Sequence, residues 1–95
     1  MTSRQSLTRD SGPSGWTEHK GTEYDLTGWE IFEGDPADPN TCRGWFRCTD
    51  PSFTARKKAQ LRLHLLDEQD HERVVDVAIV HVSSSEPMWE FLAVR

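Results

Sequence analysis

Apolar and polar residues alternate along much of the chain. Alternation with a period of two predicts strands that turn one face towards a core. Aromatic and β-branched residues, which favour strands, are concentrated in the same segments. Stretches rich in Gly, Pro, Asp, Asn and Ser lie between these segments and predict turns. The predicted strands are residues 26–33, 41–49, 59–66, 73–82 and 88–95.

The segment 51–66 fits two interpretations. Asp50 followed by Pro51 resembles the start of a helix, and helix-favouring residues are frequent after it. A helix would direct Leu61 and Leu65 away from its apolar stripe, whereas a strand alternates them with polar side chains. We therefore predict a strand that begins near residue 59, with one short helix after Pro51. A helix over the whole segment is the alternative.

Five strands in sequential order predict a mainly β fold. We expect a five-stranded antiparallel meander, as a curled sheet or a small partly open barrel; the alternative is an α+β fold. Pairing Arg62 with Asp76 in the hairpin of 59–66 with 73–82 gathers the large apolar side chains on one face. The strand 73–82 is apolar on both faces, so an open sheet would leave one face uncovered. Barrel closure, a helix or a second copy of the chain would cover it.

Composition divides the chain into an arm and a domain. Residues 1–22 are rich in Ser, Thr, Gly and Pro and contain few large apolar residues. Such a segment buries too little apolar surface to offset the entropy that is lost when it becomes ordered. We therefore expect a disordered N-terminal arm over residues 1–22 and a single small β-rich domain over residues 23–95. A chain of 95 residues suits one domain.

The net charge of −5 is unevenly distributed along the sequence. Residues 23–38 carry acidic side chains and no Lys or Arg, and residues 67–72 are again mostly acidic. Residues 43–62 are basic, with Asp50 as their lone acid. These segments either pair with one another across the folded surface or leave a basic face for an acidic partner.

No motif in the sequence indicates catalysis, a metal or a cofactor. The four histidines lack an HxH or HxxxH spacing, and the two cysteines, Cys42 and Cys48, are too few for a usual zinc site. We therefore predict that the protein is not an enzyme and needs no metal or cofactor. No apolar run is long enough for a membrane span, and the N-terminus lacks a signal-peptide pattern. The expected location is the cytoplasm, without a membrane partner.

Tryptophan and basic side chains mark the expected binding surface. Trp45 lies between Arg43 and Arg47 on one face of a predicted strand, an arrangement that suits recognition of peptides or stacked bases. Trp16 is expected to dock on a partner when the arm becomes ordered. The predicted binding residues are Arg43, Trp45, Arg47, Arg56, Lys57, Lys58 and Trp16.

These features favour a small non-enzymatic protein-interaction or regulatory module that binds a protein partner. One alternative is single-stranded nucleic-acid binding through residues 43–62, which a pI of about 5.2 disfavours. Another alternative is an acidic inhibitor or DNA-mimic accessory protein of viral or bacterial origin. Homodimerisation stays open.

Overall fold

The computed structural model of the protein describes residues 9–34 and 42–94. These residues form eight β-strands and no helix. The strands are β1 (Arg9–Gly12), β2 (Ser14–His19), β3 (Thr22–Leu26), β4 (Gly28–Phe32), β5 (Arg43–Arg47), β6 (Gln60–Leu66), β7 (Glu72–Val82) and β8 (Met88–Ala93). One antiparallel sheet contains all eight, in the order β1-β4-β5-β8-β7-β6-β2-β3. The sheet has free edges at β1 and β3, and it curls around a core without closing into a barrel.

The prediction of a mainly β fold with a curled antiparallel sheet is confirmed. The sheet has eight strands rather than five, because β1, β2 and β3 precede the first predicted strand. The register predicted for β6 and β7 is also confirmed, with Arg62 opposite Asp76. Their side chains form an ion pair in which Arg62 Nε lies 2.8 Å from Asp76 Oδ1. This register turns the leucines at 61, 63 and 65 towards the core.

Residues 9–22 belong to the sheet, which corrects the expectation of a disordered arm for this part of the chain. β2 pairs with β3 on one side and with β6 on the other. Lys20 and Gly21 have φ angles of 55° and 84°, as a two-residue type I′ hairpin turn requires. A locally favourable turn and a distant partner strand therefore order a segment whose composition alone predicts disorder. Residues 1–8, 35–41 and 95 lie outside the described residues, and so do the first part of the predicted arm and the predicted strand ends at residues 41 and 95.

The predicted helix after Pro51 and the alternative helix over 51–66 are wrong, since the described residues contain no helix there. The Asp50 carboxylate accepts hydrogen bonds from Ser52 N at 2.9 Å and Ser52 Oγ at 2.7 Å. Such a local side-chain turn competes with a helix start. The chain then continues without regular structure to β6, and Phe53 and Ala55 are buried in the core.

The core lies within the curl, on the inner face of the sheet. Trp29, at 1% exposed, is the largest of its fully buried side chains. Phe46 stacks on Trp89, with 5.6 Å between the ring centroids, and the ring of Phe53 meets Trp89 edge-on at 4.8 Å. The buried hydroxyl of Thr17 donates a hydrogen bond to the Arg62 carbonyl at 2.8 Å. The polar atom in this apolar core is therefore paired, as burial requires.

Asp67 organises the short connection between β6 and β7. Its Oδ1 accepts hydrogen bonds from the backbone N–H groups of Gln69, at 2.8 Å, and of His71, at 2.9 Å. The bond from His71 is the largest reason why the pKa of Asp67 lies below its ordinary value. Because the folded state lowers this pKa, the resulting stabilisation is present above the ordinary aspartate range. It is lost as the pH falls through the lowered value.

We expect the backbone N–H resonances of Gln69 and His71 to move together, below the ordinary aspartate range, in an NMR pH titration. Asp67→Asn should abolish that common titration, because its side chain no longer ionises. Glu68→Gln is the matched control, since Glu68 is exposed in the same loop, and it should leave the titration unchanged. A common transition in the ordinary aspartate range would contradict this account of the loop.

Candidate functional site

β5 presents three large side chains on the face of the sheet turned away from the core, here called the outer face. Gly44 and Phe46 take the inward positions of β5 and are buried. The intervening residues Arg43, Trp45 and Arg47 therefore point outward, as the period of two predicts. Trp45 is half-buried, and both arginines are exposed.

Trp45 is surrounded by charges of both signs. Glu30 of β4 and Glu90 of β8 lie directly across from it on the two neighbouring strands. Trp45 Nε1 donates a hydrogen bond to Glu30 Oε1 at 3.0 Å. The Arg47 guanidinium carbon lies 5.5 Å from the centroid of the Trp45 ring, and Arg47 also pairs with Glu86 at 3.4 Å. The face around Trp45 is therefore balanced in charge rather than basic.

An open groove of about 300 Å³ lies beside Trp45 on the outer face. Its apolar wall includes Val80 and Leu92, each 37% exposed. The pairing of β7 with β8 is irregular, since Ile79 lies opposite Phe91 and His81 lies opposite Glu90. Val80 is the extra residue between them, and it lines the groove. The Trp45 groove is defined here by its lining residues, which are Phe32, Arg43, Gly44, Trp45, Val80, Glu90, Phe91 and Leu92.

Exposed apolar side chains extend beyond the groove along the outer face. Val74 of β7 is 49% exposed. The two-faced apolar strand predicted from sequence is thus left uncovered by the part of the chain that the structure describes. Within residues 9–34 and 42–94, neither a helix nor closure of the sheet into a barrel covers this apolar face.

The other predicted basic residues lie elsewhere. Arg56, Lys57 and Lys58 belong to the connection before β6 and line a separate cavity of about 410 Å³. Lys20 of the β2–β3 turn lines the same cavity, although it was not among the predicted binding residues. The seven predicted residues therefore do not form one surface: three are on β5, three are on this connection, and Trp16 is on β2.

Trp16 is part of the sheet rather than of a flexible arm. It lies opposite His64 on the outer face, and their rings stack with centroids 3.8 Å apart and an interplanar angle of 3°. His64 Nδ1 in turn lies 2.9 Å from Glu72 Oε2. These contacts hold Trp16 half-buried against the sheet.

The cysteines are not arranged for nucleophilic chemistry. Cys42 and Cys48 are both free thiols. Burial is the largest cause that raises the pKa of each, and Glu33 raises the pKa of Cys42 further. A raised pKa keeps a thiol protonated and weakly nucleophilic. In the described segments, no three His, Cys, Asp or Glu side chains are grouped to hold a metal ion.

Several residues of the Trp45 groove escape sequence-based prediction. Phe32, Glu90 and Leu92 are brought to Trp45 by the pairing of β5 with its neighbours. An alternating pattern shows which way a side chain points, but it does not show which strands are neighbours. The position of Val80 depends on a local irregularity that carries no sequence signal of its own.

Comparisons with protein-family models, with curated proteins and with solved structures found no match for this chain. Among the described residues, there is also no helix long and apolar enough to cross a membrane.

Proposed function

We propose that this protein is a small non-enzymatic interaction module that binds a segment of another protein in the Trp45 groove. The supporting observation is the composition of the groove: exposed Val80 and Leu92 beside a half-buried tryptophan, with one cation and one anion at its rim. Aromatic and apolar side chains with few polar groups are typical of protein-binding hot spots. Apolar groups exposed together on a folded surface also commonly mark an interaction site.

The charges around Trp45 favour a polypeptide over a nucleic acid as the ligand. A base-stacking platform is normally set in a positively charged groove that follows the phosphate backbone. Glu30 and Glu90 lie on the strands at either side of Trp45, where they would repel phosphates. A protein segment has no such constraint, because it can offer side chains of either charge.

The lining of the groove supports a proposal for the chemistry of the partner. A large apolar side chain of the partner would fill the space between Trp45, Val80 and Leu92. Arg43 forms no ion pair with a carboxylate of the described residues and would accept an acidic neighbour in the partner. Glu90 would accept a basic neighbour. The proposed ligand is thus an apolar residue flanked by an acidic residue and a basic one.

A selection of random peptides displayed on phage, carried out on the purified protein, tests this proposal. We expect the enriched peptides to share an apolar residue between an acidic and a basic residue. Trp45→Ala should weaken the binding of such a peptide by about 30-fold, as expected for a hot-spot residue. Arg43→Glu should change the preferred acidic residue to a basic one, because the charge that it faces is inverted.

Trp16→Ala is the matched control, since it removes a half-buried tryptophan from the same outer face but outside the groove. It should leave peptide affinity unchanged. Peptides that bind Trp45→Ala as well as the original protein would contradict the proposal. Self-association in sedimentation that is lost in Trp45→Ala would instead identify a second copy as the occupant. Preferential binding of an oligonucleotide at Trp45 would identify a nucleic acid.

A further inference from the structure

Four cationic side chains converge at the cavity between the β2–β3 turn and the connection before β6. Lys20 approaches from the turn, and Arg56, Lys57 and Lys58 approach from the connection. All four are exposed, and none forms an ion pair with a carboxylate within the described segments. The basic cavity is defined here by these four residues with His19 and Thr54.

The backbone at this cavity is held in a conformation that does not favour lysine. Lys20 and Lys58 have φ angles of 55° and 79°, in the left-handed region that glycine and asparagine adopt more readily. The hydrogen bond from Lys58 N to the Ile79 carbonyl, at 2.7 Å, fixes the chain there. In a type I′ turn, asparagine before glycine is the preferred pair, whereas here lysine precedes Gly21. Backbone strain of this kind is concentrated at functional sites.

We propose that the basic cavity binds a compact ligand with two or more linked phosphate groups, independently of the Trp45 groove. Several lysines and an arginine around one cavity provide the point charges and hydrogen-bond donors that phosphates require. The basic cavity is open to solvent and has a volume of about 410 Å³, which leaves room for a compact ligand. The threonine hydroxyl of Thr54 and the ring of His19 add polar groups to its lining.

The surroundings favour a short polyphosphate over a long nucleic acid. Glu18 and Glu23 are opposite each other on β2 and β3, immediately beside the turn, and both are exposed. Because Thr17 and Tyr24 point inward, these carboxylates lie on the outer face, where they disfavour a polyanion that extends from the cavity around the hairpin. His19 is the only aromatic ring in the described lining, so the cavity offers little surface for base stacking. The shared ligand chemistry is the polyphosphate group, either free or as part of a nucleotide.

Isothermal titration of the full chain with inorganic triphosphate, at low ionic strength, tests the proposal. We expect saturable binding that Lys57→Glu combined with Lys58→Glu weakens by at least about tenfold, because two attractive charges become repulsive. Arg62→Gln is the matched control: it removes an exposed cation that pairs with Asp76 outside the cavity. It should change the affinity by less than about twofold, as expected for a distant, screened charge.

Lys20→Asn separates loss of the ligand site from loss of the fold. Asparagine suits the type I′ turn, so the variant should melt at an equal or higher temperature. It should nevertheless bind triphosphate severalfold more weakly. No binding of triphosphate by the original protein would overturn the proposal, and so would equal losses in Arg62→Gln and the double variant.

Two further titrations distinguish the possible sources of the phosphate group. Tighter binding of a nucleoside triphosphate than of triphosphate would assign the site to a nucleotide, and equal binding would assign it to the free polyphosphate. Tighter binding of a single-stranded oligonucleotide than of either compound would overturn the inference of a compact ligand. Binding of triphosphate should persist in Trp45→Ala, because the two sites share no residue.

Discussion

Trp29→Ala is expected to remove about half or more of the protein's free energy of unfolding. The Trp29 side chain is 1% exposed, and its Nε1 donates hydrogen bonds to the carbonyls of Ser14, at 2.8 Å, and Leu66, at 3.1 Å. Truncation of a buried tryptophan costs about 3–5 kcal/mol, and loss of its hydrogen bonds adds about 1 kcal/mol. A domain of this size has a total free energy of unfolding of only about 5–10 kcal/mol. Urea unfolding followed by circular dichroism would measure the loss.

Trp45→Ala is the matched control, because it removes the same side chain from a half-buried position on the outer face. We expect it to lower the free energy of unfolding by about 1 kcal/mol, in the range of a typical single substitution. The contrast therefore separates a tryptophan that holds the fold from one that is available for binding. Equal urea midpoints for the two variants would contradict the assignment of Trp29 to the core.

Gly44→Ala is expected to destabilise the protein by about 3 kcal/mol, as for an overpacked core position. A Cβ atom at this position would collide with the backbone carbonyl oxygen of Glu30 on β4 and lie 2.8 Å from Phe91 Cζ on β8. The backbone oxygen cannot yield without moving β4. Because Gly44 also lines the Trp45 groove, displacement of β4 should weaken peptide binding as well. Thermal unfolding and peptide affinity would measure the two effects.

Gly28→Ala provides the control in the same hairpin. A Cβ atom at Gly28 would meet no other atom within 4 Å. Its φ angle lies outside the left-handed region, so that an added side chain would not strain the backbone. We therefore expect unchanged stability or a gain of up to about 1 kcal/mol, because alanine restricts the unfolded chain. A similar loss of stability in both variants would show that the Glu30 carbonyl is not the obstacle.

The parts of the fold that sequence predicts are those with local pairing. The β6–β7 register follows from Arg62 and Asp76, because a slip by one residue would turn every large side chain to the other face. The segment 9–22 is the opposite case. The order of β2 within it depends on β6, since Ser14 lies opposite Leu66, far away along the chain. Composition indicates how much apolar surface a segment can bury by itself. It does not indicate how much of that surface a distant strand covers when it pairs with the segment.

The candidate sites also combine features that the sequence predicts with features that it does not. The outward direction of Arg43, Trp45 and Arg47 follows from the alternation of side chains within one strand. The balance of charge around these three side chains does not follow from the sequence, because Glu30 and Glu90 come from neighbouring strands. The sequence predicts one basic surface over residues 43–62, yet Arg43 lines the Trp45 groove and Arg56, Lys57 and Lys58 line the separate basic cavity. Folding thus produces two candidate sites of different charge from one basic stretch.

The order of the strands has a consequence for how the protein folds. β1 and β2 are joined only through Pro13, yet β1 pairs with β4 near one edge of the sheet and β2 pairs with β6 near the other. The β2–β3 hairpin is a local structure and can form early. β2 cannot complete its pairing until β6 has been synthesised and the core face of β6 is assembled. Because so many pairings join distant segments, we expect folding in milliseconds to seconds rather than microseconds. An emerging chain would therefore expose an unpaired β2 edge until late in its synthesis.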